Sequence, residues 1–299
     1  MHLGGVEKCE VAGGASGHPS IVPGPDPDRR AFAAPPSRPD SLAWAEASDR
    51  AMPGEERASF GPWLARRARQ VTGRANSAFL AEPDQGKAAA NLAELADWYR
   101  AVGASPIVQG WRSAETPGGA LDHPAGAADT VLLEEAWERG PGAVVYARPA
   151  AGFTARRRSP TDIGIETGSD VADDVVASIG ADRLAEMRTP LPTTIATARR
   201  TDGDRALLGR ALAIIDPVAD LVGIFAVEVA PEARGRGIAD ALMAALIAEA
   251  SPSADATVWL QVAPDNLVAR RLYERQGFEV VAAYDYWRPG APDETVQPS

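Results

Sequence analysis

Two arginines alternate with two glycines in Arg234-Gly-Arg-Gly-Ile-Ala239, a pattern of residue types suited to holding an anion. Gly235 and Gly237 carry no Cβ, so the backbone can bend sharply there and bring its N–H groups close to a ligand. An apolar, strand-like run, Leu221-Val-Gly-Ile-Phe-Ala-Val-Glu-Val-Ala-Pro231, leads into the turn. Beyond it Ile238, Leu242, Ala245 and Leu246 recur at helical spacing, with no breaker before Ser251-Pro252. The turn therefore sits on a helix N-terminus, where unpaired first-turn amides and the helix dipole favour negative charge. A diphosphate suits such a turn, and a tight strand-to-helix connection without a ligand is the alternative reading.

Composition narrows the partners. Of 299 residues, 41 are acidic and 30 basic, giving a net charge of −11, which disfavours nucleic acid and anionic membranes as general partners. Apolar residues make up 45% and charged residues 24%, as in ordinary globular proteins. Cys9 is the only cysteine, so no intrachain disulfide and no cysteine metal cluster can form. His2, His18 and His123 lack ligand spacing, and no metal is expected. The N-terminus has no basic patch followed by an apolar core, and no run approaches about 18 apolar residues. No membrane span is expected, and a cytoplasmic location is.

The elements that must position the turn come in two similar sets. Residues 1–39 are rich in Gly, Pro, Ser and Asp without sustained periodicity and read as a disordered tail. Asp40-Ser41 can cap a short helix ending before Pro53. Strands are expected over Pro62–Gln70 and Arg74–Leu80, with Val71-Thr72-Gly73 as a hairpin connection. A helix over Lys87–Val102, a strand over Ser105–Trp111, a helix over Thr130–Arg139 and a strand over Gly142–Ala147 follow. A soft boundary at Ala150-Ala151-Gly152 divides a first module, 40–150, from a second, 151–289, and 290–299 read as a disordered tail. The second module starts with Phe153–Arg158, then helices over Asp170–Ser178 and Ala181–Arg188 and strands over Thr193–Arg199 and Arg205–Ile215. After the glycine turn and its helix come a strand, Ala256–Val262, a helix, Asn266–Gln276, and a last strand, Phe278–Trp287. Leu133–Tyr146 echoes Ala269–Ala282, so the modules read as degenerate copies, unless Ala-rich units resemble each other by chance.

Val229-Ala-Pro231, the glycine turn and Asn266-Leu-Val-Ala-Arg-Arg-Leu-Tyr-Glu-Arg-Gln-Gly-Phe278 together resemble the GNAT superfamily of N-acetyltransferases. Arg234, Gly237 and Ala239 stand at the defining positions of its acetyl-CoA signature, and the second block matches its Asn-x-x-Ala-x-x-Leu-Tyr-x-x-x-Gly-Phe helix. The resemblance covers about Thr154 to Pro289; the first module is similar to worn GNAT-like halves that precede some GNAT domains. It implies an α/β fold with a mixed α+β sheet: a GNAT-like acyltransferase domain behind a smaller degenerate module. Acetyl-CoA would be the co-substrate, and the acceptor a primary amine of a small molecule or peptide.

By this resemblance the amides of Arg234, Gly235, Arg236, Gly237, Ile238 and Ala239 hold the CoA diphosphate, helped by the two guanidinium groups. Free backbone groups at Val227 and Val229 receive the pantetheine arm, and Asn266 either contacts that arm or simply caps its helix. Tyr273 is the acid that meets the departing thiolate. Some family members carry a base in the strand matching Leu260-Gln261-Val262, but Gln261 cannot take a proton; Glu228 is the candidate instead, with Asp265 or a water chain as alternatives. The glycine turn's counterpart in the first module, Asp84-Gln-Gly-Lys87, lacks the signature, and Tyr273 aligns with Trp137, so that module reads as catalytically dead. A mycothiol-synthase-like tandem acyltransferase and a non-catalytic acyl-CoA sensor are the rival readings.

Overall fold

The computed structural model describes residues 20–21, 40–114, 126–155 and 160–290. The first half contains β1 (Ser20–Ile21), α1 (Ser41–Ala51), β2 (Glu56–Phe60), β3 (Trp63–Arg67), β4 (Ala78–Leu80), α2 (Gln85–Arg100), β5 (Val108–Ser113), α3 (Ala127–Glu134) and β6 (Trp137–Pro149). The second contains β7 (Ile163–Gly168), α4 (Asp173–Ile179), α5 (Ala181–Glu186), β8 (Thr193–Arg200), β9 (Leu207–Asp216), β10 (Leu221–Val229), a 3₁₀ turn (Pro231–Ala233), α6 (Ile238–Ala250), β11 (Thr257–Val262), α7 (Leu267–Arg275) and β12 (Glu279–Pro289). The result is the expected α/β architecture, a mixed sheet covered by helices.

One sheet runs through both halves in the order β1-β2-β3-β4-β5-β12-β6-β11-β10-β9-β8-β7. Read from either end, the order gives the same pattern, with β1 to β6 answering β7 to β12. The parallel pairs β4–β5 and β10–β11 correspond, as do α2 with α6 and α3 with α7. The last strand of each half is exchanged. Strand β6 pairs antiparallel with β11 from Thr257↔Pro149 to Val262↔Val144, and β12 pairs with β5 from Ala282↔Ser113 to Trp287↔Val108. Helices α1 and α4, with Leu184 of α5, cover one face around Trp44, Phe225, Trp259 and Tyr284; α6 and α7 cover the other over the second half, and α2 and α3 over the first.

Local chemistry explains where the elements depart from the expected boundaries. Val71-Thr72-Gly73 does lie in the connection between antiparallel β3 and β4, but in a long loop rather than a tight turn, because the buried Glu186 carboxylate accepts the Val71 and Thr72 amides at 2.8 Å each and so takes donors a longer ladder would need. A tight hairpin lies earlier, between β2 and β3, where Gly61 has φ +55° and a Cβ would meet Asn91 at 2.6 Å. Helix α3 stops at Glu134, five residues short of the expected end, since Ala136 turns left-handed and Trp137 starts β6. No strand occupies Phe153–Ala155, and 156–159 lie outside the described residues; the second half's first strand is β7, which begins at Ile163. Within the expected N-terminal tail, Ser20–Ile21 pair with β2, and the other residues before 40 and those after 290 lie outside the described set.

The exchange makes each half depend on the other. Val144, Val145 and Tyr146 of β6 are buried against second-half residues, and burial of each such side chain contributes about 1.5–3 kcal/mol. Without β6, β11 would be an apolar open edge. Residues 151–299 expressed alone should aggregate or unfold without cooperativity, and co-expression with 1–150 should restore a soluble complex. A soluble 151–299 fragment with a sharp melting transition would contradict this dependence.

Candidate active site

Strand β10 and β11 begin as neighbours and then part. Pairing runs from Leu221↔Thr257 to Ile224↔Leu260 and stops, although β10 continues to Val229 and β11 to Val262. A bulge in β10 marks the parting, with Phe225 opposite Leu212 and Glu228 opposite Arg210, and Ala226 at φ +51°. The buried Arg210 guanidinium holds the bulge: Nη1 donates to Ala226 O at 2.5 Å, Nη2 to Glu228 Oε2 at 2.6 Å, and Nε to Ser178 Oγ at 2.7 Å. Burial lowers the Arg210 pKa from its usual value, and Glu228 opposes that shift. The Ala230 amide is bonded to Leu208 O on β9, so by strand alternation the main-chain groups of Val227 and Val229 face the gap.

The glycine turn lies at the end of this gap. Gly235 has φ +77° and Gly237 φ +82°, the latter as N-cap of α6 with no side chain capping the helix. A Cβ at Gly235 would meet nothing within 4 Å, so the turn is open to solvent. Its counterpart on α2 is closed by its own carboxylate, since Asp84 Oδ1 accepts the Lys87 amide at 3.1 Å. Arg234 is exposed and its Nε donates to Val229 O at 3.2 Å. Arg236 is paired by Nη2 to both oxygens of Asp162 at 2.7 Å, so its charge is shared with a carboxylate that the sequence reading did not include. That pairing holds the Asp162 carboxyl below the usual range. Ile238 is buried and offers only its backbone, while Ala239 is half-buried.

Helix α7 stands beside the turn, tied to it by Asp240 of α6, whose Oδ1 accepts from Gln276 Nε2 at 2.6 Å. Asn266 caps α7, accepting the Ala269 amide at 3.1 Å, which leaves its NH₂ group exposed. Tyr273 is buried with its ring 5.9 Å from Phe278 and 6.4 Å from Tyr146 of β6. Burial pushes its pKa up to about 12, opposed by the Arg74 charge, so the phenol stays protonated at neutral pH. Tyr146 braces this helix from the exchanged strand, donating to Glu274 Oε1 at 2.8 Å and accepting from Arg270 Nε at 3.1 Å. Gln261 is structural: Nε2 donates to Ser48 Oγ at 3.1 Å and Oε1 accepts from the Tyr284 hydroxyl at 3.2 Å.

In the first half the matching helix ends identically but carries no phenol. Ala136 N donates to Leu133 O as Gly277 N does to Glu274 O, both at left-handed residues. This places Leu132, rather than Trp137, opposite Tyr273; Trp137 lies beyond the helix, on β6. Across the sheet from α7, a cavity of about 220 Å³ reaches the bulge at Ala226 and is closed by Thr72-Gly73-Arg74 of the first half and by α5. A Cβ at Gly73 would lie 2.8 Å from the Tyr286 ring, so a larger residue here would have to move the ring or the loop. Sequence reading placed Arg74 in a strand and gave no signal for its Nη2 donating to Gln261 O, 187 residues away, at 3.3 Å. Among the described residues no group of three or more His, Cys, Asp or Glu side chains is placed to hold a metal, and no helix is long and apolar enough to cross a membrane.

Comparison with known proteins agrees with this geometry. Residues 174–278 match the model of the Acetyltransferase (GNAT) family. No curated protein matches the chain in sequence. Among solved structures, a GCN5-related N-acetyltransferase from Kribbella flavida aligns at 16% identity over 84% of this chain and 96% of its own, with TM-score 0.62. A tandem GNAT protein from the clavulanic acid biosynthesis pathway, solved without AcCoA, aligns at 15% identity over 73% of this chain and 76% of its own, with TM-score 0.55. A functionally unknown conserved protein from Staphylococcus epidermidis aligns at 10% identity, 80% and 96% coverage, and TM-score 0.52. At these identities the shared property is the fold.

An uncapped turn that needs glycine is testable directly. Gly237→Asp would add a carboxylate over the α6 amides and put a side chain in the left-handed region, at a cost of about 1–3 kcal/mol. The variant should stay folded and lose at least about tenfold in CoA affinity, about 1.4 kcal/mol by calorimetry. Unchanged affinity in a folded variant would contradict the assignment of the turn.

Proposed function

From the premise that residues 174–278 form a GNAT-family domain, we propose that the chain is an acyl-CoA-dependent N-acyltransferase moving acetyl from acetyl-CoA to a primary amine of a small molecule or peptide by direct attack. The observation that carries this reading is the glycine turn at the mouth of the gap between β10 and β11, whose N-cap Gly237 leaves the start of α6 without a capping side chain. The amides from Arg234 to Ala239 would hold the diphosphate, with Arg234 adding charge and Arg236, already shared with Asp162, contributing less. Val227 and Val229 would bind the amide-rich arm through backbone groups, and the free NH₂ of Asn266 would reach it from α7. Acetyl-CoA supplies the activated thioester. We take 151–289 as the catalytic half, 40–150 as its support, and 1–39 and 290–299 as tails. A cytoplasmic location goes with this choice of co-substrate.

Tyr273 would donate to the departing sulfur, because its raised pKa keeps a proton available throughout the neutral range. Glu228 would accept the amine proton. It is paired with Arg210 at 2.6 Å and largely exposed, which suits transfer of the proton through water. The continuous two-half sheet favours one second reading, a tandem acyltransferase of the mycothiol-synthase kind with a small thiol-precursor amine as acceptor. A sensor that binds acyl-CoA without turnover is separated from both by kinetics.

Tyr273→Phe should lower kcat by about 10²-fold or more, with KM for acetyl-CoA nearly unchanged, in a free-thiol release assay over a panel of amines. In the parent protein, any fall in rate from Tyr273 ionisation should begin only above about pH 10, the ordinary tyrosine value, because burial raises this group above it. Binding of acetyl-CoA without turnover on any amine, unaffected by Tyr273→Phe, would favour the sensor.

A further inference from the structure

We propose that the cavity at the β10 bulge is the acceptor subsite and that it selects small amines bearing an acidic group, carboxylate or phosphate, held by Arg74 and Arg183. This selectivity presupposes the acetyl-transfer reading above and narrows its acceptor. Met52, Met187 and Phe225 form the apolar part of the wall, Ala226 brings the cavity to the strand gap, and the two arginines are its charged groups. A volume of about 220 Å³ is below the roughly 300–1,000 Å³ of drug-sized pockets, so it fits an amine of amino-acid size.

The charge is local and uncompensated, in a chain whose net charge is −11. Three carboxylates on the elements around the cavity are already engaged. Glu186 accepts from Val71 N, Thr72 N and Asn76 Nδ2, all at 2.8 Å; Asp182 is paired with Arg69 at 3.0 Å, and Glu228 with Arg210 at 2.6 Å. Neither Arg74 nor Arg183 has an ion-pair partner among the described residues. Arg74 is half-buried, donating to Gln261 O at 3.3 Å beside the Tyr284 phenol, and Arg183 is exposed near enough to Arg210 for their charges to repel. A guanidinium pair over an apolar pocket recognises a carboxylate or phosphate by charge-assisted hydrogen bonds. The Glu186 clamp fixes the loop that carries Arg74, so this cation is held in place before a ligand arrives.

The test uses the full chain and matched amines: ω-amino acids of two to six carbons, the corresponding amides, diamines and aminoalkyl phosphates. With saturating acetyl-CoA, thiol release should give kcat/KM at least about tenfold higher for the acid or the phosphate than for the amide and diamine of equal length. Which of the two acids wins identifies the group. Arg183→Gln, at an exposed site, and Arg74→Gln should each reduce the acid-to-amide ratio, mainly through KM. Amides or diamines used as well as acids, a ratio unchanged in both variants, or acetyl-CoA binding with no acid accepted would overturn the proposal. If calorimetry shows no acetyl-CoA binding, the acetyl-transfer reading fails instead. Acid binding to the protein alone then decides the subsite: acid bound and amide not supports it, and equal or absent binding sinks it.

Discussion

Between Phe225 and Glu228, strand β10 carries one residue more than β9 can pair, and the buried Arg210 guanidinium holds the surplus by bonding Ala226 O, Glu228 and Ser178. Everything in the site follows from the parting that starts there. Pairing with β11 ends at Ile224, main-chain groups at Val227 and Val229 lose a strand neighbour, and the bulge opens toward the cavity beyond. Such a charge is tolerated inside because it is paired and hydrogen-bonded; one stripped of its partners costs about 3–5 kcal/mol. Site shape and a demanding electrostatic arrangement are thus the same feature.

The strand exchange gives this opening a rigid frame. Strand β6 lies on the far side of β11 and supplies Tyr146 to α7, while the 71–74 loop, pinned by Glu186, supplies Arg74 to the acceptor side. The first half repeats the scaffold but not the candidate site residues. Asp84 fills the amide cradle of α2 that stays open on α6, and Leu132 stands where α7 has Tyr273. On the proposed function, the two halves are one candidate site and its support within a single sheet.

What could be read in the sequence was what is local along the chain. The Arg234–Ala239 turn, the α6 periodicity and the Asn266–Phe278 block each lie within a few turns of backbone, and their geometry follows from glycine freedom and helix capping. Trp137 shows the limit: an echo of sequence paired it with Tyr273, but the left-handed Ala136 ends α3 before it. The exchange of β6 and β12, the Arg236–Asp162 pair and the reach of Arg74 to Gln261 are long-range, set by how the halves dock. Strand β7, with glycines at both Gly164 and Gly168, carried too little apolar signal to be found.

One functional cleft per chain is the central claim, and the stoichiometry of acetyl-CoA binding to the intact protein tests it most directly. Calorimetric titration should show one equivalent bound per chain, since Asp84 closes the first half's cradle. Two equivalents, or none, would contradict the account.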